Sequence, residues 1–188
     1  MKITRLQYQK QDPNRVNVYV DDKFAVGLET NAVVKLGLFK GQEITQEELN
    51  KIISESDFGK KLNAALNFLS FRPRSEFEIR QFFRRKKLTD IEPVMEKLKT
   101  LGQIDDEAFA KWYVDQRQTF RPKGHRAIEM ELRRKGIKAK VEGTLSEEAL
   151  ARKALLKFRG EKSRERQQRF LASRGFDWDT IAQVLKIE

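Results

Sequence analysis

Four kinds of residue in this chain could carry chemistry, and three of them are soon bounded. Asp105, Asp106 and Glu107 form the tightest acidic cluster, the arrangement a divalent cation would want. They also stand where a helix should begin, and first-turn carboxylates complement the helix dipole without any metal. His125 is the single histidine, so neither a zinc-binding His pair nor a conventional acid–base dyad can be assembled. Lys123-Gly124 is too short to cradle a phosphate, and the spacing G-x-x-x-x-G-K-[ST] occurs nowhere. Nucleophile motifs are absent as well. No enzyme, metal or cofactor is expected.

The fourth kind is basic. The formal charge is +11, and it is unevenly spread. Residues 1–55 hold eight Lys/Arg and eight Asp/Glu, leaving 31 of the 39 basic and 20 of the 28 acidic residues beyond them. All of the excess therefore lies after residue 55, which points to nucleic acid or to a protein surface lined with carboxylates or phosphates. The candidate contacts fall in three groups. The first is Arg72 and Arg74 in a loop, with Arg80, Arg84, Arg85 and Lys86 on the helix that follows. The second is Arg117, Arg121 and Lys123, followed by Arg126, Arg133, Arg134 and Lys135. The third is Arg164 and Arg166. Positions 80, 84 and 87 share one helical face, opposite Ile79, Phe82 and Phe83. Glu129 and Glu131 dilute the middle helix. If such helices stack, their basic faces line one stripe, and polyanion affinity grows with the charges neutralised along a track.

The elements that would carry these groups repeat. Phe83-Arg-Arg-Lys-Lys-Leu88, Leu132-Arg-Arg-Lys-Gly-Ile137 and Leu171-Ala-Ser-Arg-Gly-Phe176 end a short helix in the same way, 49 and 39 residues apart. A basic residue suits the negative end of a helix, and Gly suits the left-handed residue that closes it. Lys87 stands where the other copies have Gly, at a cost of ~1 kcal/mol if that residue is left-handed. Ahead of each ending runs an apolar stripe: Leu62, Ala65, Leu66 and Leu69; Phe109, Trp112 and Tyr113; Ala151, Ala154, Leu155 and Phe158. Trp112 and Tyr113 could stack on bases, but their place on the stripe favours core packing.

Thr45-x-x-Glu48 and Ser75-x-x-Glu78 are capping boxes that open helices. A third helix should close each repeat: Asp90–Leu101, a weaker one around Lys138–Leu145 containing Gly143, and Asp177–Ile187. Residues 1–50 differ. Val16, Val18 and Val20 alternate strictly, Lys2–Tyr8 and Phe24–Leu28 read as further short strands, and a helix near Thr30–Leu36 should stop at Gly37. The expected fold is mainly α: a tandem array of three-helix repeats forming an elongated, curved body, with a small β-rich N-terminal module. The boundaries are 1–50 for the module and 55–102, 104–145 and 146–188 for the repeats.

The chain has no cysteine, so disulfides and thiolate metal sites are excluded. It shows neither a signal-peptide core nor an apolar run near the ~20 residues of a membrane span. A cytoplasmic protein without membrane attachment is expected.

Ile104-Asp-Asp-Glu-Ala-Phe-Ala-Lys-Trp-Tyr-Val-Asp-Gln-Arg117, with Lys123-Gly-His-Arg-Ala-Ile128 and Leu132-Arg-Arg-Lys-Gly-Ile137, resembles the central signature of the RecX family. Ala64–Ile79 looks like the opening of that family's first repeat, and Arg169–Phe176 like the close of its last. Residues 1–50, including Glu29-Thr30 and Lys40-Gly41, are similar to an extension in relatives from Gram-positive bacteria. The resemblance implies a modulator of the RecA recombinase that lies in the groove of the RecA–single-stranded-DNA filament. It would inhibit filament growth, ATP hydrolysis and strand exchange, and so modulate recombinational DNA repair and the SOS response. Asp105, Asp106, Phe109, Ala110, Tyr113, Arg117, Lys123, Gly124 and Gly136 match the family pattern. Among these, Arg117 and Lys123 are the candidate contacts, and the others read as caps, core and turns.

The alternative is a helix-turn-helix-like DNA-binding transcription regulator, which short three-helix units permit. No heptad pattern supplies a dimer, so a monomer is expected, and repeated basic faces favour tracking over a single groove insertion. A nuclease would need the metal and acid–base sets that the chain lacks.

Overall fold

The computed structural model of the protein describes residues 1–141, 145–160 and 163–186. Three strands, β1 (Ile3–Tyr8), β2 (Arg15–Val20) and β3 (Lys23–Glu29), precede the helices. Among the described residues these are α1 (Thr30–Lys35), α2 (Gln46–Ser70), α3 (Glu76–Arg85), α4 (Glu92–Thr100) and α5 (Asp106–Phe120). After them come α6 (His125–Arg134), α7 (Glu147–Leu156), α8 (Arg164–Ser173) and α9 (Trp178–Leu185). The chain divides into two compact units, Met1–Arg72 with Lys87–Leu101 and Pro73–Lys86 with Gly102–Glu188. So α3, which the sequence reading puts in a repeat over 55–102, groups with the residues beyond 102.

The first unit is a β-meander on helices. Its antiparallel sheet has the order β1-β2-β3. Strict alternation buries Val16, Val18 and Val20 and turns Asn17 and Tyr19 outward. Asp21 and Asp22, at φ 47° and 62°, make the two-residue turn that pairs Val20 with Lys23. Both φ values are positive, as a primed hairpin turn demands, and Asp tolerates this better than most side chains. The buried face of the sheet joins Ile44 and Ile52 in one core. Ser56 Oγ on α2 donates to the Gly27 carbonyl at 2.7 Å and fixes the helix to β3. The capping box expected at Thr45 and Glu48 opens α2. Lys61 on α2 is buried and pairs with Asp57 at 2.7 Å. Beside α2 packs α4, with Val94, Met95 and Leu98 buried.

Two thin cores lie among the described residues of the second unit. Phe109, Tyr113, Ile128, Leu132, Ile137 and Val141 belong to one, and Leu150, Ala154, Leu171, Phe176 and Ile181 to the other. In its second and third copies the repeated ending is a Schellman motif. After α6, Gly136 N–H reaches the Arg133 carbonyl at 3.0 Å and Ile137 N–H the Leu132 carbonyl at 3.0 Å. After α8, Gly175 and Phe176 repeat the pair to Ala172 and Leu171 at 2.9 and 3.3 Å. The closing residues are left-handed in all three copies: Gly136 at φ 82°, Gly175 at 79° and Lys87 at 54°.

The weak third helix expected near Lys138–Leu145 is not formed over Lys138–Val141. Ile137 and Val141 fill that core from non-helical backbone instead, and the Val141 amide finds the Glu129 carboxylate at 3.1 Å. Gly143, Ile187 and the 161–162 part of the third basic loop lie outside the described residues.

Candidate polyanion interface

Of the basic residues singled out by sequence, one group faces solvent. In α3, Ile79 and Phe83 are buried while Arg84, Arg85 and Lys86 are exposed at its end. In α6, Ile128 and Leu132 are buried while Arg126, Arg133 and Arg134 are exposed. Arg164 and Arg166 are exposed at the start of α8, where Arg164 reaches the Lys186 carbonyl at 3.3 Å. Arg121 is exposed in the loop after α5. The basic last turns sit at the negative ends of α3 and α6, where the helix dipole favours them.

The other group is engaged inward. Arg80 pairs with Glu76 at 2.9 Å, and Arg72 and Arg74 are half-buried. Arg117 and Lys123 converge on a single carboxylate: Arg117 Nε donates to Glu131 Oε2 at 2.6 Å and Lys123 Nζ to Glu131 Oε1 at 2.5 Å. Tyr113 Oη donates to Glu131 Oε2 at 2.9 Å and accepts from Arg117 at 2.7 Å. Partial burial opposes ionisation of Glu131, but the hydrogen bonds from Lys123, Tyr113 and Arg117 outweigh it and hold its carboxyl below the usual carboxylate range. Burial, then the bond to Glu131, pushes the Tyr113 phenol up. Lys135 pairs with Glu78 at 2.8 Å and lies over the Tyr113 ring, 5.3 Å from its centroid. Glu131, read from sequence as a dilution of the basic helix, is thus the hub that ties α5, the loop after it and α6 together.

Sequence reasoning missed a link between successive helices of the repeated signature. Ser75, the N-cap of α3, donates from Oγ to the carbonyl of Lys135, the C-cap of α6, at 2.7 Å. The first amide of α3, Glu76 N–H, donates to Asp106 at the start of α5 at 2.7 Å. One repeat later the same positions meet again. Gly124 N–H donates to the carbonyl of Arg174, the C-cap of α8, at 3.1 Å. His125 N–H donates to Glu147 at the start of α7 at 2.5 Å. The helices α8, α6 and α3 therefore run head to tail, each negative C-terminus against the positive N-terminus of the next. The signal was available as acids recurring at the first position of α5 and α7, of which sequence reading considered only Asp106 and assigned it to its own helix dipole. Phe77, Gln81, Tyr113, Glu131, Arg134 and Lys135 line a shallow cleft of ≈ 260 Å³ at the α3–α6 junction.

The candidate metal cluster resolves into caps. Asp105 accepts from the amides of Glu107 and Ala108, both at 2.9 Å, and Asp106 serves α3. Among the described residues no group of three or more His, Asp or Glu is arranged to hold a metal. The His125 ring lies 3.5 Å from Glu147. Tyr113 is buried and Trp112 half-buried, both packed on Phe109 with ring centroids 5.8 and 5.6 Å away. No described helix is long and apolar enough to cross a membrane.

Four family profiles cover most of the chain. The regulatory protein RecX N-terminal domain matches residues 1–45, and the first, second and third RecX three-helix domains match 62–98, 105–141 and 147–185. The regulatory protein RecX of Leuconostoc mesenteroides is 30% identical over 200 residues, covering 98% of this chain and 74% of that protein. That of Listeria welshimeri is 33% identical over 150 residues, covering 79% of this chain but only 56% of its own length. Among solved structures, a crystal structure of regulatory protein RecX superposes with a TM-score of 0.71 at 27% identity, covering 100% of this chain and 99% of the other. Repeated basic endings, their glycine closures and these matches agree: the chain belongs to the RecX family of regulatory proteins.

Proposed function

We propose that this protein binds the helical groove of the RecA–single-stranded-DNA filament and restrains filament growth, ATP hydrolysis and strand exchange. It would do so as a cytoplasmic monomer without a cofactor, tempering recombinational repair and the SOS response. The observation that carries this reading is the exposed basic last turn of α6, Arg133 and Arg134, recurring in α3 as Arg84, Arg85 and Lys86. A groove that offers acidic protein surface and DNA phosphates would be met by such turns at intervals rather than by one inserted helix. The residues engaged inward, Arg117, Lys123 and Lys135, are assigned to holding the array together.

The helix-turn-helix alternative would have a helix N-terminus reading base edges. The first turns of α3 and α6 already receive the C-cap of the next signature helix, which speaks against that use. The test is RecA ATPase on single-stranded DNA, titrated with this protein at two salt concentrations. Arg133→Glu with Arg134→Glu should abolish inhibition while the circular dichroism stays unchanged. Full inhibition by this double variant at the wild-type dose rejects the basic-turn reading, and sequence-preferring duplex binding with no effect on RecA restores the alternative.

A further inference from the structure

Phe71-Arg72-Pro73-Arg74 and Phe120-Arg121-Pro122-Lys123 repeat one pattern at the same 49-residue spacing as the first two helix endings. Each phenylalanine stands at the end of the helix that precedes a signature helix, and each ring faces out. Phe71 is 84% exposed and Phe120 61%. A phenylalanine ring left in water forgoes ~1.5–3 kcal/mol of burial, so an exposure repeated in kind asks what covers it.

Around Phe120 the surroundings narrow the answer. The backbone beneath it is pinned: Lys157 Nζ donates to the carbonyls of Thr119 and Phe120, both at 2.9 Å. Arg174 donates to the carbonyl of the buried Pro122 at 3.4 Å. The ring is thus shown on a stiff support, not on a loose loop tip. Its neighbours are cationic. Arg121 follows it and is exposed, and the exposed Lys157 ammonium sits at its own carbonyl. Next to Lys157 in sequence stands Leu156, 87% exposed, and Arg159 is exposed two residues on.

Lysine is depleted in protein–protein interfaces, whereas here the Lys157 ammonium is bonded to the Phe120 carbonyl and Arg121 follows in sequence. An aromatic face among cations suits an unpaired nucleotide, with the ring taking the base and the cations its phosphates. A duplex keeps its base faces stacked inward and offers the ring nothing to stack on. We propose that Phe120, with Arg121 and Lys157, is a stacking platform for bases of single-stranded nucleic acid, and that Phe71 is its counterpart in the first unit. This deepens the proposed function by assigning direct contact with bases, and it can be tested with no recombinase present.

The full chain is titrated into a single-stranded oligothymidylate carrying one 2-aminopurine, at two salt concentrations. Wild type should quench the 2-aminopurine on binding. Phe120→Leu should weaken binding about tenfold and remove the quench with the salt dependence unchanged, while Phe120→Trp retains both. Arg121→Gln should lower the salt slope by about 0.7, one phosphate's worth. Failure of wild type to bind or quench, or Phe120→Leu with unchanged affinity and quench, overturns the platform. So does a Phe120→Leu variant that binds the oligonucleotide normally yet no longer inhibits RecA, since the ring would then meet protein. Phe120-dependent quenching by a protein that leaves RecA ATPase untouched would support the platform and reject the proposed function instead.

Discussion

The α3–α6 and α6–α8 junctions make the same link from the same positions, but with different atoms. At the first, the side chain of Ser75 spans the gap: its hydroxyl accepts the Glu78 amide at 3.3 Å and donates to the Lys135 carbonyl at 2.7 Å. The ion pair between Lys135 and Glu78 reinforces it. At the second there is no side chain to use. Gly124 donates its backbone amide to the Arg174 carbonyl, and a Cβ built on it would fall inside the contact shell of the Gly175 carbonyl oxygen. One junction is a bridge with some slack, the other a direct meeting of two backbones. A link made by a side chain can lose strength by degrees, while a link made by close backbone approach fails when anything is added.

That contrast can be broken by measurement. Gly124→Ala should be the most damaging, costing about 3 kcal/mol because the obstructing atom is backbone and cannot swing aside. Urea denaturation of the variant checks it, and a loss no greater than that of Ser75→Ala would erase the distinction between the junctions. Ser75→Ala should cost about 1–2 kcal/mol, the usual value of an N-cap.

Glu131→Gln should fall near 2 kcal/mol at neutral pH, because it leaves two half-buried cations short of a counter-charge. Its sign with pH follows from a carboxyl held below its unfolded value of ~4.3. The stabilisation is complete above about pH 5 and is lost as pH falls through the depressed folded value. Acid titration of stability should show wild type and Glu131→Gln converging as pH falls through that depressed value.

Smallest is Lys87→Gly. Gly136 and Gly175 are each pressed on a preceding helix, where an added Cβ would lie 2.6 Å from Phe77 Cβ and 2.5 Å from Ala127 Cβ. Lys87 is exposed and left-handed, so only its backbone is strained, and glycine there should stabilise by ~1 kcal/mol. A thermal melt would register the gain.

Local features were legible in the sequence because their causes are local. The capping boxes at Thr45 and Ser75, the Val16–Val20 alternation and the left-handed closures each depend on a few adjacent residues. Features that depend on partners elsewhere were not. Arg117 and Lys123 look like free cations until Glu131, fourteen and eight residues away, turns toward both. Ser75 reads as an ordinary cap, and its bond to a carbonyl sixty residues later has no trace in local pattern. The missing helix over Lys138–Val141 is the same lesson, since two apolar residues that serve a core from irregular backbone look much like two on a helix face.

The head-to-tail link has a consequence for descent by duplication. Each junction is assembled half from one copy and half from the next: an N-cap and first amide from the earlier, a C-cap carbonyl, a glycine and a carboxylate from the later. A copied segment brings both halves with it, so gaining or losing a whole repeat leaves every joint complete. A cut at any other phase strands a carbonyl or an amide. Such an array can change length across generations only in whole steps, and its reading frame of inheritance is the repeat rather than the residue.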